Sequence, residues 1–338
     1  MSQFDYIKDI ARYGLENDQE RLLKVLEDLI EYSKKTKKVN FALQLQSILK
    51  EGLKQQENSG LSKVGSQKYY IKESDKQIDD LIIEKITSDY TFDNLISQEE
   101  QKEKLEFFVK EHKGITILRN FDLPVSNKLL FYGPSGCGKT LAAYVLAGEL
   151  EKMMYVINLG AIVSSKLGET SKNLARIFRK ASSEECILFF DELDSLGKIR
   201  DYSQDHGEMK RVVNTILQLF DYLPQETIVI AATNQINLID QALYRRFDMR
   251  VNLELPNRKQ IENLIDLTLN KSPFKFRNKQ EKERFINHAL GLSYYVIQKI
   301  LIDTIKRTLF SADSQKKNAY YLNTQIWEQL LEQEKDNQ

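Results

Sequence analysis

Apolar positions fall into three textures along the chain. In residues 17–33, Leu22, Leu23, Leu26, Leu29 and Ile30 recur on one helical stripe, with Asp18 placed to cap its start. After the basic turn at residues 34–38, Phe41, Leu45, Ile48, Leu49 and Leu53 make a second stripe. Two amphipathic helices joined by a short polar turn predict an αα-hairpin, or a three-helix unit with residues 4–15. Residues 55–74 are then rich in Gln, Ser, Gly and Lys with few core-forming side chains, the composition of a linker.

From about residue 88 short apolar runs alternate with helical periodicity. Residues 128–132, 155–159, 186–190, 228–232 and 249–253 read as strands, and 187–190 and 228–232 are apolar on both faces, as parallel strands covered by helices are. Beyond Pro256 no strand is expected, and 260–269, 280–290, 294–310 and 323–333 predict helices. The expected fold class is α/β, with a doubly wound parallel sheet. We place an all-α unit at 1–58, a linker at 59–86, the α/β domain at 87–256 and a small helical domain at 257–338.

Charge changes this picture little. Lys and Arg number 49, as do Asp and Glu, so no global field draws the chain to nucleic acid or anionic lipid. The two cysteines, Cys137 and Cys186, lack metal-ligand spacing and argue for a reducing compartment. The first ten residues mix acids and bases, unlike a secretory signal, and no apolar run approaches the roughly 18 residues of a membrane span. These features predict a soluble cytoplasmic protein with no membrane span.

The chemistry is concentrated at strand ends. Gly133-Pro134-Ser135-Gly136-Cys137-Gly138-Lys139-Thr140 follows one predicted strand and opens a helix at Leu141, the context a phosphate-binding loop requires. Backbone N–H groups of such a turn and the positive end of the new helix converge on one anion. This predicts binding of a nucleoside triphosphate, with Lys139 reaching the β and γ phosphates and Thr140 holding Mg²⁺. The strand at 186–190 runs into Asp191-Glu192. Asp191 would hold the metal through its water shell, and Glu192 would act as general base on the attacking water. Asn234, at the tip of the 228–232 strand, is suited to orienting that water; the alternative is that it only caps the next loop.

Four segments in order, Gly133 to Thr140, Phe190-Asp-Glu-Leu-Asp-Ser-Leu196, Ala231-Ala-Thr-Asn234 and Leu238 to Asp248, make the chain resemble the AAA family of the wider AAA+ ATPases over about residues 90–310. It looks most like the protein-remodelling members. The resemblance implies ATP and Mg²⁺ as cofactors and a helical lid for the C-terminal domain. It implies a nucleotide site built from Pro134, Ser135, Gly136, Cys137, Gly138, Lys139, Thr140 and Leu141, with Ile96 and Ser97 against the base. Arg245 and Arg246 stand where the family's arginine fingers lie. A guanidinium supplied by a neighbouring subunit makes hydrolysis depend on assembly, so a homo-oligomeric ring, usually a hexamer, is implied.

Two departures from the family pattern matter. Lys166, Leu167 and Gly168 align with the central pore loop, but Lys166 replaces an aromatic, so strong threading of polypeptide is in question; these residues either grip substrate or merely border the ring axis. One basic residue per subunit in a neutral chain argues against nucleic acid there. At the start of the lid helix Tyr294 and Tyr295 replace smaller residues, as lid core or as ribose contacts, and no arginine is available at that turn. The leading expectation is an ATP-hydrolysing ring that remodels a protein substrate chosen by the N-terminal helices. The alternative is a regulatory ring that gates a separately encoded effector such as a protease or nuclease. The chain itself contains no His-Glu-x-x-His.

Overall fold

The computed structural model describes residues 3–15, 19–36, 38, 40–46, 49, 81–159, 169–196, 206–270, 272–310 and 320–336. Two N-terminal helices, α1 (Gln3–Leu15) and α2 (Gln19–Lys35), pack on each other, with Tyr6 and Tyr32 rings 5.6 Å apart, and residues 40–46 are helical as well. Asp18, the linker at 55–74 and the pore-loop residues Lys166, Leu167 and Gly168 lie outside the described residues.

The middle of the chain is a six-stranded sheet of β1 (Ile82–Ile86), β2 (Lys128–Tyr132), β3 (Met154–Ile157), β4 (Ile187–Phe190), β5 (Ile228–Thr233) and β6 (Met249–Asn252). In space the order is β1-β3-β4-β5-β2-β6, and all neighbouring pairs are parallel except β1 with β3. Parallel neighbours need crossover connections, which helices supply: α3 (Glu99–Lys113) and α4 (Ile115–Asn120) before β2, then α5 (Lys139–Glu149), α6 (Glu169–Glu184), α7 (His206–Asp221) and α8 (Gln241–Arg246). Successive side chains of a strand face opposite sides, so each face acquires its own core. Leu130, Leu188 and Val229 pack with Phe178 of α6 and Phe220 of α7. Leu129, Phe189 and Ile230 pack with Phe108 of α3 and Val145 of α5. Every residue of β4 and β5 is buried as a result.

The chain closes with α9 (Arg258–Leu269), α10 (Lys279–Ala289), α11 (Tyr294–Phe310) and α12 (Thr324–Asp336) around a separate core centred on Trp327, Phe285 and Ile297. This is the P-loop α/β fold with a helical C-terminal part that the sequence pattern predicts.

Two expectations need correction. Residues 82–86, assigned to the linker, form the edge strand β1, whose Ile82 and Ile86 pair across from Ile157 and Met154. Its three central residues are exposed, so the run lacks the continuous apolar signature of the other strands. The C-terminal part also holds a strand pair, β7 (Phe274–Lys275) with β8 (Tyr320–Tyr321), too short for any periodicity to reveal.

Candidate functional site

Since β4, β5 and β2 are adjacent and parallel, the loops leaving them emerge side by side at one edge of the sheet, where ligands of open α/β folds sit. β2 delivers the glycine-rich loop, β4 delivers Asp191 and Glu192, and β5 delivers Asn234.

Gly133, Gly136 and Gly138 all adopt positive φ, a backbone conformation open to glycine that lets the loop turn tightly. At Gly136 (φ 73°) there is no room for more: a Cβ would lie 2.6 Å from Ser293 Oγ. Lys139 is 7% exposed, and its Nζ donates to the carbonyls of Gly133 (2.8 Å) and Pro134 (2.7 Å). Burial pulls its ammonium below the usual lysine range, opposed by Cys137, Asp191 and Asp194 nearby. Thr140 Oγ1 donates to Asp191 Oδ2 at 3.0 Å, and Asp191 Oδ1 accepts from the Glu192 N–H at 2.9 Å. Glu192 itself holds φ 52°, a left-handed conformation that costs a non-glycine residue roughly 1–3 kcal/mol and that recurs at working sites.

The segment before α3 closes the other end. Phe92 N donates to Glu149 Oε1 at 3.0 Å, and Tyr90 stacks on Tyr144 at 6.4 Å. The close approach requires Gly148, where a Cβ would meet the Tyr90 carbonyl oxygen at 2.1 Å. Leu95 then packs with Cys137 of the glycine-rich loop, and Ile96 packs against the core of the C-terminal helices.

Together these elements enclose a cleft of about 530 Å³. Of the residues expected from sequence, Ile96, Ser135, Gly136, Cys137, Gly138, Lys139, Thr140, Leu141, Asp191, Glu192 and Asn234 line it. Pro134 does not, although its carbonyl receives Lys139. Ser97 does not either, and its buried hydroxyl has no hydrogen-bond partner among the described residues. Sequence reading missed Asn94, Leu95, Leu264, Leu267 and Gln298 as lining residues. It also missed Asp194, 1% exposed, which accepts from Thr233 Oγ1 (2.9 Å) and the Asn234 N–H (3.4 Å) and so ties the β4 loop to the β5 tip. Its place in the Asp-Glu-Leu-Asp run was the available signal.

Arg245 and Arg246 end α8, exposed and outside this cleft. Arg246 pairs with Asp221 (Nε to Oδ1, 3.0 Å), both about half exposed. Asp248 fixes this corner to the root of β2 by accepting from the backbone N–H groups of Asn127 and Lys128, each at 3.0 Å. His288 lies apart on α10, its Nδ1 2.8 Å from the Arg284 carbonyl.

The arrangement fits a nucleoside triphosphate with a divalent cation. A glycine cradle closed to any Cβ at its apex supplies N–H donors, and the Thr140 hydroxyl beside the Asp191 carboxylate is a hard-oxygen donor set.

Comparison with known proteins agrees. Residues 129–255 match the family model of the ATPase family associated with various cellular activities (AAA). Over 236 residues, 69% of each chain, the sequence is 33% identical to "Uncharacterized AAA family ATPase y4kL" of Sinorhizobium fredii. Over 205 residues it is 31% identical to a Methanocaldococcus jannaschii protein named as a 26S proteasome regulatory subunit homolog, covering 60% of this chain and 54% of that one. The crystal structure of the FIGL-1 AAA domain superposes with a TM-score of 0.62 at 18% identity, covering 78% of this chain and 90% of that one, a likeness of fold. The chain belongs to the AAA family of ATPases: it binds nucleotide and hydrolyses ATP. No helix among the described residues is long and apolar enough to cross a membrane.

Proposed function

We propose that this ATPase works as a homo-oligomeric ring, with six subunits as in the family's usual form, that spends ATP on remodelling a protein substrate. The observation that carries the reading is a division of parts. Lys139, Thr140, Asp191, Glu192 and Asn234 share one cleft, while Arg245 and Arg246, exposed at the C-terminal end of α8, are not among the residues that line it. A phosphoryl-transfer site of this kind is complete only with a cation at the γ-phosphate, which a neighbouring copy's arginines would supply.

Within the cleft the roles follow from position. The loop amides and Lys139 would bind and orient the phosphates, and Thr140 with Asp191 would hold Mg²⁺, which when bound neutralises charge on the phosphate oxygens. Glu192 would take a proton from the attacking water, and Asn234, beside it at the strand tip, would align that water. The N-terminal helices α1 and α2 would choose the target, and Leu167 with Lys166 and Gly168 would meet it at the ring axis. In the second reading the ring gates a separate effector. It is favoured by the archaeal relative's name, which is that of a proteasome regulatory homolog.

Binding and turnover test the site. Lys139→Ala is expected to remove nucleotide affinity, whereas Glu192→Gln keeps affinity and suppresses phosphate release. Undiminished hydrolysis by Glu192→Gln would falsify the assignment of the base. An unfolding assay on a tagged model protein separates the two functional readings: a remodeller unfolds it and loses that ability in Leu167→Ala, while a gate leaves it folded.

A further inference from the structure

One wall of the cleft is polar and another apolar. Lys139, Thr140, Asp191, Glu192 and Asn234 line it from where β2, β4 and β5 end, and Ile96, Leu264 and Leu267 line it from the segment before α3 and from α9. Phosphates held at the polar wall leave the base to the apolar one. Tyr294, the first residue of α11, lines the cleft from the same C-terminal helices as Leu264 and Leu267. Its half-buried ring packs against both the core beneath the glycine-rich loop and the core of the C-terminal helices. Its backbone is pinned by the next residue, because Tyr295 N–H donates to the Gly136 carbonyl at 3.1 Å while Ser293 abuts the same glycine. The start of α11 is therefore in fixed register with the apex of the phosphate loop, and Tyr294 is held with it in the lining of the cleft.

Resting on the nucleotide reading above, we infer that Tyr294 is the aromatic platform on which the base of the bound nucleotide stacks, so that the helical lid engages the ligand through a ring and not a cation. An aromatic ring offers any base a π-face to lie on, a contact that truncation to alanine exposes as a loss of affinity of about tenfold or more. The polyphosphate lies beyond the reach of this contact. Fixed by Gly136, the ring transmits a base's presence directly to α11, on which the rest of the lid core is packed.

Equilibrium binding of ATP and of inorganic tripolyphosphate, each without turnover, tests this in the full chain. Tyr294→Phe is expected to bind both ligands as the parent does. Tyr294→Ala and Tyr294→Leu, the second keeping apolar bulk without the π-face, are expected to lose about tenfold or more in ATP affinity while holding tripolyphosphate unchanged. ATP affinity equal to the parent's in both variants would overturn the platform, and tighter binding would show instead that the ring occupies the base's place. An equal loss of both ligands also overturns it, since the ring would then be supporting the phosphate loop. A parent that binds neither ligand defeats the phosphate-loop reading itself, which separates the two failures.

Discussion

Asp194 accepts a 2.9 Å hydrogen bond from the Thr233 hydroxyl, with both residues about 1% exposed. The bond crosses from the loop after β4 to the end of β5, and the Leu193 N–H reinforces it by donating to the Ala232 carbonyl at 2.8 Å. Glu192, two residues before Asp194, and Asn234, directly after Thr233, are thereby held at a fixed separation. A buried carboxylate is expensive unless its lone pairs are used, and here they fix the spacing between Glu192, the proposed base, and Asn234, the amide proposed to align its water.

Removing that strut should damage turnover more than binding. Asp194→Ala leaves buried donors unpaired and is expected to lower stability by about 1–3 kcal/mol, to cut kcat severely and to leave ATP affinity near the parent value. Thr233→Val should move kcat in the same direction by less, because Asp194 retains the Asn234 N–H. Parental kcat in a folded Asp194→Ala protein would show that the spacing is irrelevant to the chemistry.

Glu192 offers a test of stability against function. Its φ of 52° favours glycine, so Glu192→Gly is expected to exceed Glu192→Ala in stability by up to about 1 kcal/mol, while both lose turnover. Denaturant midpoints compare them. An alanine variant as stable as the glycine variant would mean that the backbone there is under no constraint.

His112 predicts an acid limb of stability. It lies buried on α3, its Nε2 2.8 Å from the Ser126 carbonyl, and burial lowers its pKa from 6.5 to about 4 against the pull of that carbonyl. Between these values the unfolded chain takes up a proton that the folded one refuses, so stability is unaffected above about 6.5, falls as pH drops through the window and levels off below about 4. His112→Gln should flatten this component of the profile. Identical pH dependence in parent and variant would remove His112 from the account.

Much of this was legible in the chain because the relevant signals are local. The phosphate loop and the Asp191-Glu192 pair are contiguous and sit directly on apolar strands, and the amphipathic stripe of α11 gives Tyr294–Phe310 to the residue. Long-range pairings were not legible. β1 is a strand only because β3 lends it an edge, Gly148 matters only because Tyr90 lies on it, and Asp194 acquires meaning only when β5 lies beside β4. Tyr294 shows the middle case: the sequence left it as lid core or ribose contact, whereas its ring bridges two cores and lines the cleft.

The central claim is that each cleft is completed by another copy, and mixing two inactive proteins tests it most directly. The first is the Arg245→Ala, Arg246→Ala double variant, with its base intact; the second is Glu192→Gln, with its arginines intact. Each alone should bind ATP and hydrolyse it poorly. Mixed in equal amounts and allowed to co-assemble, about a quarter of the interfaces should unite a competent base with competent arginines, and hydrolysis should return in proportion. A co-assembled mixture as inactive as its two components, or a double variant that hydrolyses ATP at the parental rate by itself, would contradict the account.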